Sequence, residues 1–98
     1  MKTFEDLEFK PHAIAIEAEN TKNSDPELWN KLDILHDNLT ATHAKMLFTN
    51  GNSISVIFGS IFYSNGIDTY EAMSNTENEP RGYLTKEEVT EFMKELQA

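Results

Sequence analysis

Thr42-His43-Ala44-Lys45-Met46-Leu47-Phe48-Thr49-Asn50-Gly51-Asn52-Ser53-Ile54-Ser55-Val56-Ile57-Phe58 is the stretch that decides the fold. Ala44, Met46 and Phe48 recur every second residue, and Ile54, Val56 and Phe58 repeat the pattern beyond an Asn-Gly pair. Alternation of this kind places each apolar set on one face of a strand. Asn50-Gly51 is a hairpin signal, usually of a two-residue loop. Such a loop would set Phe48 opposite Ser53 and Met46 opposite Ser55, scattering the apolar set over both faces. A three-residue loop, Asn50-Gly51-Asn52, instead pairs Phe48 with Ile54, Met46 with Val56 and Ala44 with Phe58. One face is then wholly apolar, and a one-residue slip would undo it. Strands over 42–49 and 53–58 with an odd loop are therefore expected.

That apolar face needs a cover, and the end of the chain supplies one. Thr85 and Glu88 form a capping box, with Leu84 and Val89 at the staple positions around it. Val89, Phe92, Met93 and Leu96 then fall on one helical face. Between the hairpin and this helix, Ser64-Asn65-Gly66 reads as a turn, 67–74 as a third strand, and 75–82 as a polar acidic loop. Upstream, Phe4, Leu7 and Phe9 stand among acids, and Pro11 denies a backbone donor. Ile14 and Ile16 give 12–18 the alternation of a short strand, and 20–24 reads as a loop. Ser24-Asp25-Pro26-Glu27 is a helix start, either Ser24 or Asp25 capping and Pro26 in the first turn. Leu28, Trp29, Leu32 and Leu35 follow on one helical face. The expected fold is α+β in one small domain, 1–98. An antiparallel sheet of three to four strands carries the C-terminal amphipathic helix on one face, with a second helix near 26–36 over that face or at the sheet edge.

Composition narrows the function. Seventeen Asp and Glu face eight Lys and Arg, a net charge of −9 on 98 residues, with Arg81 the only arginine. Binding a phosphate backbone or an anionic membrane needs clustered Lys and Arg, and no such cluster exists. No direct nucleic-acid or membrane partner is expected. With no cysteine, thiolate metal sites and disulfides are excluded. Met1-Lys2-Thr3-Phe4 does not open a secretory leader, so the cytoplasm is the expected location.

Catalytic patterns are missing as well. His12, His36 and His43 fall on three elements without ligand spacing, and Asp33 and Asp37 lack a calcium-loop pattern. Ser53, Ser55, Ser60 and Ser64 are ordinary in strands and turns, with no nucleophile-elbow pattern around them. We expect no catalytic residues, no metal and no cofactor. Two surface features remain as candidates for binding a protein. Glu87, Glu91 and Glu95 recur every four residues on the last helix as a row of like charge, which reads first as an ordinary solvated face and alternatively as an acidic contact stripe. Asp68, Glu71, Glu77 and Glu79 lie near Tyr63 and Tyr70, and aromatics among acids suit a protein-binding surface, although a core role for either tyrosine is equally open.

Several of these residues also carry a resemblance. Phe4-Glu5-Asp6-Leu7-Glu8-Phe9-Lys10-Pro11-His12 resembles the opening of an uncharacterised family of small phage and prophage proteins. The likeness resumes at Phe48-Thr49-Asn50-Gly51, Ser55-Val56-Ile57, Tyr63-Ser64, Asp68-Thr69-Tyr70-Glu71 and Gly82-Tyr83-Leu84-Thr85. It closes with Glu87-Glu88-Val89 and Leu96-Gln97. The resemblance implies a phage origin and brings no chemistry. The chain departs from the family between about 13 and 40, which reads as an insertion. From the class and the charge together, the expectation is a non-enzymatic phage accessory protein that binds a host or phage protein with a basic surface. Counter-defence inhibition or nucleic-acid mimicry would be its role. The alternative is a small self-associating structural or regulatory module, a homodimer joined through an edge strand at 67–74.

Overall fold

The computed structural model describes residues 1–98, the Ile34 side chain excepted. Five antiparallel strands form one sheet in the order β1-β2-β3-β4-β5: Lys10–Pro11, Thr42–Leu47, Ser53–Phe58, Tyr70–Ser74 and Arg81–Leu84. The fold is α+β, as expected, with more strands than the sequence suggested. β5 lies at the end of the segment read as an acidic loop. Its residues Arg81-Gly82-Tyr83-Leu84 show no apolar alternation, so strand character there comes from pairing with β4.

The hairpin keeps the expected parity but not the expected register. Ala44 faces Val56 and Met46 faces Ile54, and Phe48 N–H donates to the Asn52 carbonyl at 2.8 Å. The three-residue loop is therefore Thr49-Asn50-Gly51, one position earlier than predicted. The Gly51 amide closes a tight turn on the Phe48 carbonyl, and Gly51 takes φ +92°, where a side chain would be strained. The shift frees Asn50 and Asn52 for a second task. Both side-chain amides donate to the Leu96 carbonyl, at 2.8 and 2.9 Å, capping the C-terminal end of the last helix.

That helix, α4 (Lys86–Gln97), has the expected capping box. Val89, Phe92, Met93 and Leu96 are buried on the inner sheet face against Ala44, Ile54, Val56 and Ala72. A 3-10 turn over Phe4–Asp6 joins them. Phe4 N–H donates to Thr90 Oγ1, and Gln97 exchanges two hydrogen bonds with the Lys2 backbone, holding the first residues along α4.

The expected strand over 12–18 and loop over 20–24 are corrected. They form α1, Ala13–Ser24, an α-helix. Ile14 and Ile16 alternate, but Ala13, Ala15 and Ala18 are the better guide, since alanine favours helix and Ala15 and Ala18 bury one turn apart. The expected helix over 26–36 is two helices, α2 (Pro26–Lys31) and α3 (Asp33–Asn38), separated by Leu32 in extended geometry. Asp25 caps α2, accepting from Leu28 N–H. At the break His36 stacks on Trp29 and its Nε2 donates to the Trp29 carbonyl at 2.9 Å, satisfying a helix-end acceptor.

These three helices connect β1 to β2 and pack mainly on one another. The molecule is accordingly long, 50 × 25 × 21 Å. Its radius of gyration is 15.1 Å, against about 12.5 Å for a compact chain of this length. β4 lies between β3 and β5, so 67–74 is not the free edge through which a dimer was expected to form.

Candidate functional site

The candidate residues are spread over separate parts of the molecule. Glu87, Glu91 and Glu95 stand on the solvent side of α4, the face opposite its buried stripe. Their spacing puts successive Cβ atoms about 6 Å apart. Compensation is partial: Lys94 reaches Glu91 at 3.5 Å, and Arg81 reaches Glu95 at 3.3 Å. Glu88 lies beside the row but its carboxylate is engaged with the Thr85 amide.

Arg81 organises the lower end of this surface. Its guanidinium stacks on the Phe92 ring at 3.7 Å and donates two 2.9 Å hydrogen bonds to Glu77. The paired Arg81 hydrogen bonds hold the Glu77 carboxyl below its ordinary pKa, and Glu77 in turn raises Arg81. Glu77, Glu95 and Arg81 thus come together, although sequence reasoning saw only acids here. Arg81 leans over the groove between β5 and α4, with Leu84 and Phe92 at its base. Glu79 is exposed in the preceding loop.

Glu71 is elsewhere. It projects from the sheet face opposite α4, so it does not extend the helical row. The candidate acids therefore do not share one face.

The two tyrosines separate. Tyr70 packs edge-on to Phe4 at 5.0 Å and lies against Phe9 and Phe58 at 5.7 and 5.3 Å. Burial raises its pKa, with Asp68 and Glu5 adding to the effect. Tyr70 is half-buried and packs against the core. Tyr63 is 56% exposed and lies 6.4 Å from Tyr83, itself 60% exposed. Sequence reasoning missed Tyr83 as a site residue. Gly82 and Tyr83 oppose the single residue Glu71, a bulge in the β4–β5 ladder, and Tyr83 sits at φ +56°. A bulge re-aims a side chain at a sheet edge, and a bulky residue at positive φ is strained. The signal available was the glycine before the tyrosine: Gly82 has no side chain to hold off Tyr63, whose carbonyl accepts from Tyr83 N–H at 2.8 Å.

The loop carrying Tyr63 is internally fixed. Asn65 Oδ1 accepts from the amides of Ile67, Asp68 and Thr69, while its Nδ2 donates to Asp68. Buried Ser64 accepts from Gly59 and Gly66 N–H and donates to the Thr69 carbonyl. Asp68 is consequently a loop-ordering residue as well as an exposed charge.

Of the histidines, the structure brings two together. His12 caps α1, its Nδ1 accepting from Ile14 N–H at 3.2 Å, and its ring lies 5.6 Å from that of His43. Burial, then the nearby His43 charge, lowers the His12 pKa. Among the described residues, no three His, Asp or Glu side chains converge to hold a metal ion. Among the described residues, no helix is long and apolar enough to cross a membrane. In comparisons with protein-family models, curated proteins and solved structures, nothing matches this chain.

Proposed function

We propose that this chain is a non-enzymatic, phage-encoded accessory protein, acting in the host cytoplasm, that docks through α4 on a basic surface of a host or phage protein. The observation that carries this reading is the Glu87–Glu91–Glu95 row. It is displayed outward on a helix whose other face is buried, so the backbone positions that bear the charges are fixed relative to one another. A row of carboxylates on one helix face can meet a surface that otherwise accepts phosphates, which is the basis for reading it as a nucleic-acid mimic and a counter-defence inhibitor. The phage origin rests on the sequence resemblance alone.

The test is affinity capture from host lysate with and without competing DNA, using the wild-type chain and a Glu87→Lys, Glu91→Lys, Glu95→Lys variant. A partner that DNA displaces and the variant fails to capture supports the reading. A partner held equally by the variant, or insensitive to high salt, counts against it. The alternative, a small self-associating module, draws on a separate observation, the sheet face opposite α4.

A further inference from the structure

Only one face of the sheet is covered by α4. On the other, alternation places Lys45 and Leu47 of β2, Ser53 and Ser55 of β3, and Glu71 and Met73 of β4. An antiparallel sheet facing water normally presents polar residues there. Here Leu47 is 74% exposed and Met73 40% exposed, rimming a shallow depression floored by the two serines. We propose that a second copy of this chain covers this face, in a two-fold, face-to-face dimer. The proposal deepens the self-association reading and does not depend on the acidic row.

A two-fold interface must be complementary to itself. Lys45 stands beside Ser55, and Glu71 stands beside Ile57, on opposite sides of β3 and one side-chain step apart along it. A two-fold axis lying in the interface, over β3 between Ser55 and Ile57, carries each Lys45 onto the partner's Glu71. The same rotation brings Ile57 next to its own copy. It also sets Met73 over the partner's Ser53 and Ser55, where short side chains leave room for a thioether. Opposite charges, an apolar centre and a knob facing a hollow thus all follow from one register.

Net charge opposes self-association, and this face is where the opposition is smallest. A chain of −9 repels its copy through any acidic surface. At this face one lysine meets one glutamate, and the α4 rows lie outermost in the stack. With layers about 10 Å thick, those rows sit roughly 30 Å apart, well beyond a Debye length of about 8 Å at physiological salt.

Sedimentation velocity over a concentration series tests this on the full chain. The wild type should show a reversible dimer. Met73→Glu should raise its dissociation constant about tenfold or more, the equivalent of 1.4 kcal/mol. Lys45→Glu and Glu71→Lys should each weaken it, and the two together should restore it. Of the three positions changed, Lys45 and Met73 are exposed and Glu71 is half-buried on the open sheet face, so far-ultraviolet spectra and melting points should stay near wild type. A monomer at every concentration overturns the proposal. So does a dimer indifferent to Met73→Glu, or a double charge swap no tighter than the single ones. The α4 triple reversal should leave the dimer intact, which separates failure here from failure of the acidic-row reading.

Discussion

Gly82→Ala tests how the β3–β4 loop closes on the sheet edge. A Cβ at residue 82 would lie 2.6 Å from the Tyr63 Cβ and 3.3 Å from its Cγ. The Tyr63 Cβ is fixed to the loop backbone and cannot swing aside, so relief requires the loop to retreat from β5. Retreat breaks the 2.8 Å hydrogen bond from Tyr83 N–H to the Tyr63 carbonyl, worth about 1 kcal/mol net. Residual crowding adds about 1 kcal/mol more, the low end for overpacking beside an exposed loop. A loss of about 2 kcal/mol lowers the melting temperature on the order of 10 °C for a domain this small. Circular-dichroism melts and urea titrations would measure it. The clash is between two Cβ atoms, which makes the reasoning specific. In the Gly82→Ala background, Tyr63→Gly should recover most of the loss and Tyr63→Ala should not. Equal rescue by both, or a Gly82→Ala protein within about 0.5 kcal/mol of wild type, would refute it.

Neutral His12 caps α1, and its lowered pKa means that folding favours the uncharged ring. That stability is present above the ordinary histidine value and is lost as pH falls through it, so helicity of the 13–24 segment should drop on mild acidification; His12→Asn should cap without this dependence, as read by ellipticity against pH. Tyr70 has a raised pKa, so its contribution is complete below the ordinary tyrosine value and is lost as pH rises past it; Tyr70→Phe should flatten the alkaline limb of a stability–pH curve. Asn50→Ala and Asn52→Ala each remove a donor from the Leu96 carbonyl and should cost about 1 kcal/mol in urea unfolding, while Asn78→Ala, exposed in a loop, should be neutral.

Legibility followed the strength of local signals. Thr85 and Glu88 specify the start of α4 through contacts three residues apart, so that helix was readable to its cap. Hairpin parity was readable because only an odd loop keeps Ala44, Met46 and Ile54 on one face. Register was not, since loops starting at Thr49 and Asn50 both satisfy parity; the observed one lets Asn50 and Asn52 reach Leu96, more than forty positions away. Residues 13–24 misled because two isoleucines mimic a strand period. Leu32 breaks a helical pattern that continues through it, with His36 and Trp29 stabilising the break by a contact that sequence spacing does not announce.

The candidate surfaces divide in the same way. Sequence by itself determined the net charge, the row of Glu87, Glu91 and Glu95, and the apolar faces that must meet. Each of these follows from composition or from the periods of helix and strand. Tertiary structure alone decided that Tyr70 packs against the core while Tyr63 joins Tyr83, that Arg81 gathers Glu77 and Glu95, and that Glu71 lies on the sheet face away from α4. Those outcomes depend on which elements pack together, and packing is set by long-range burial and backbone pairing that no local period encodes.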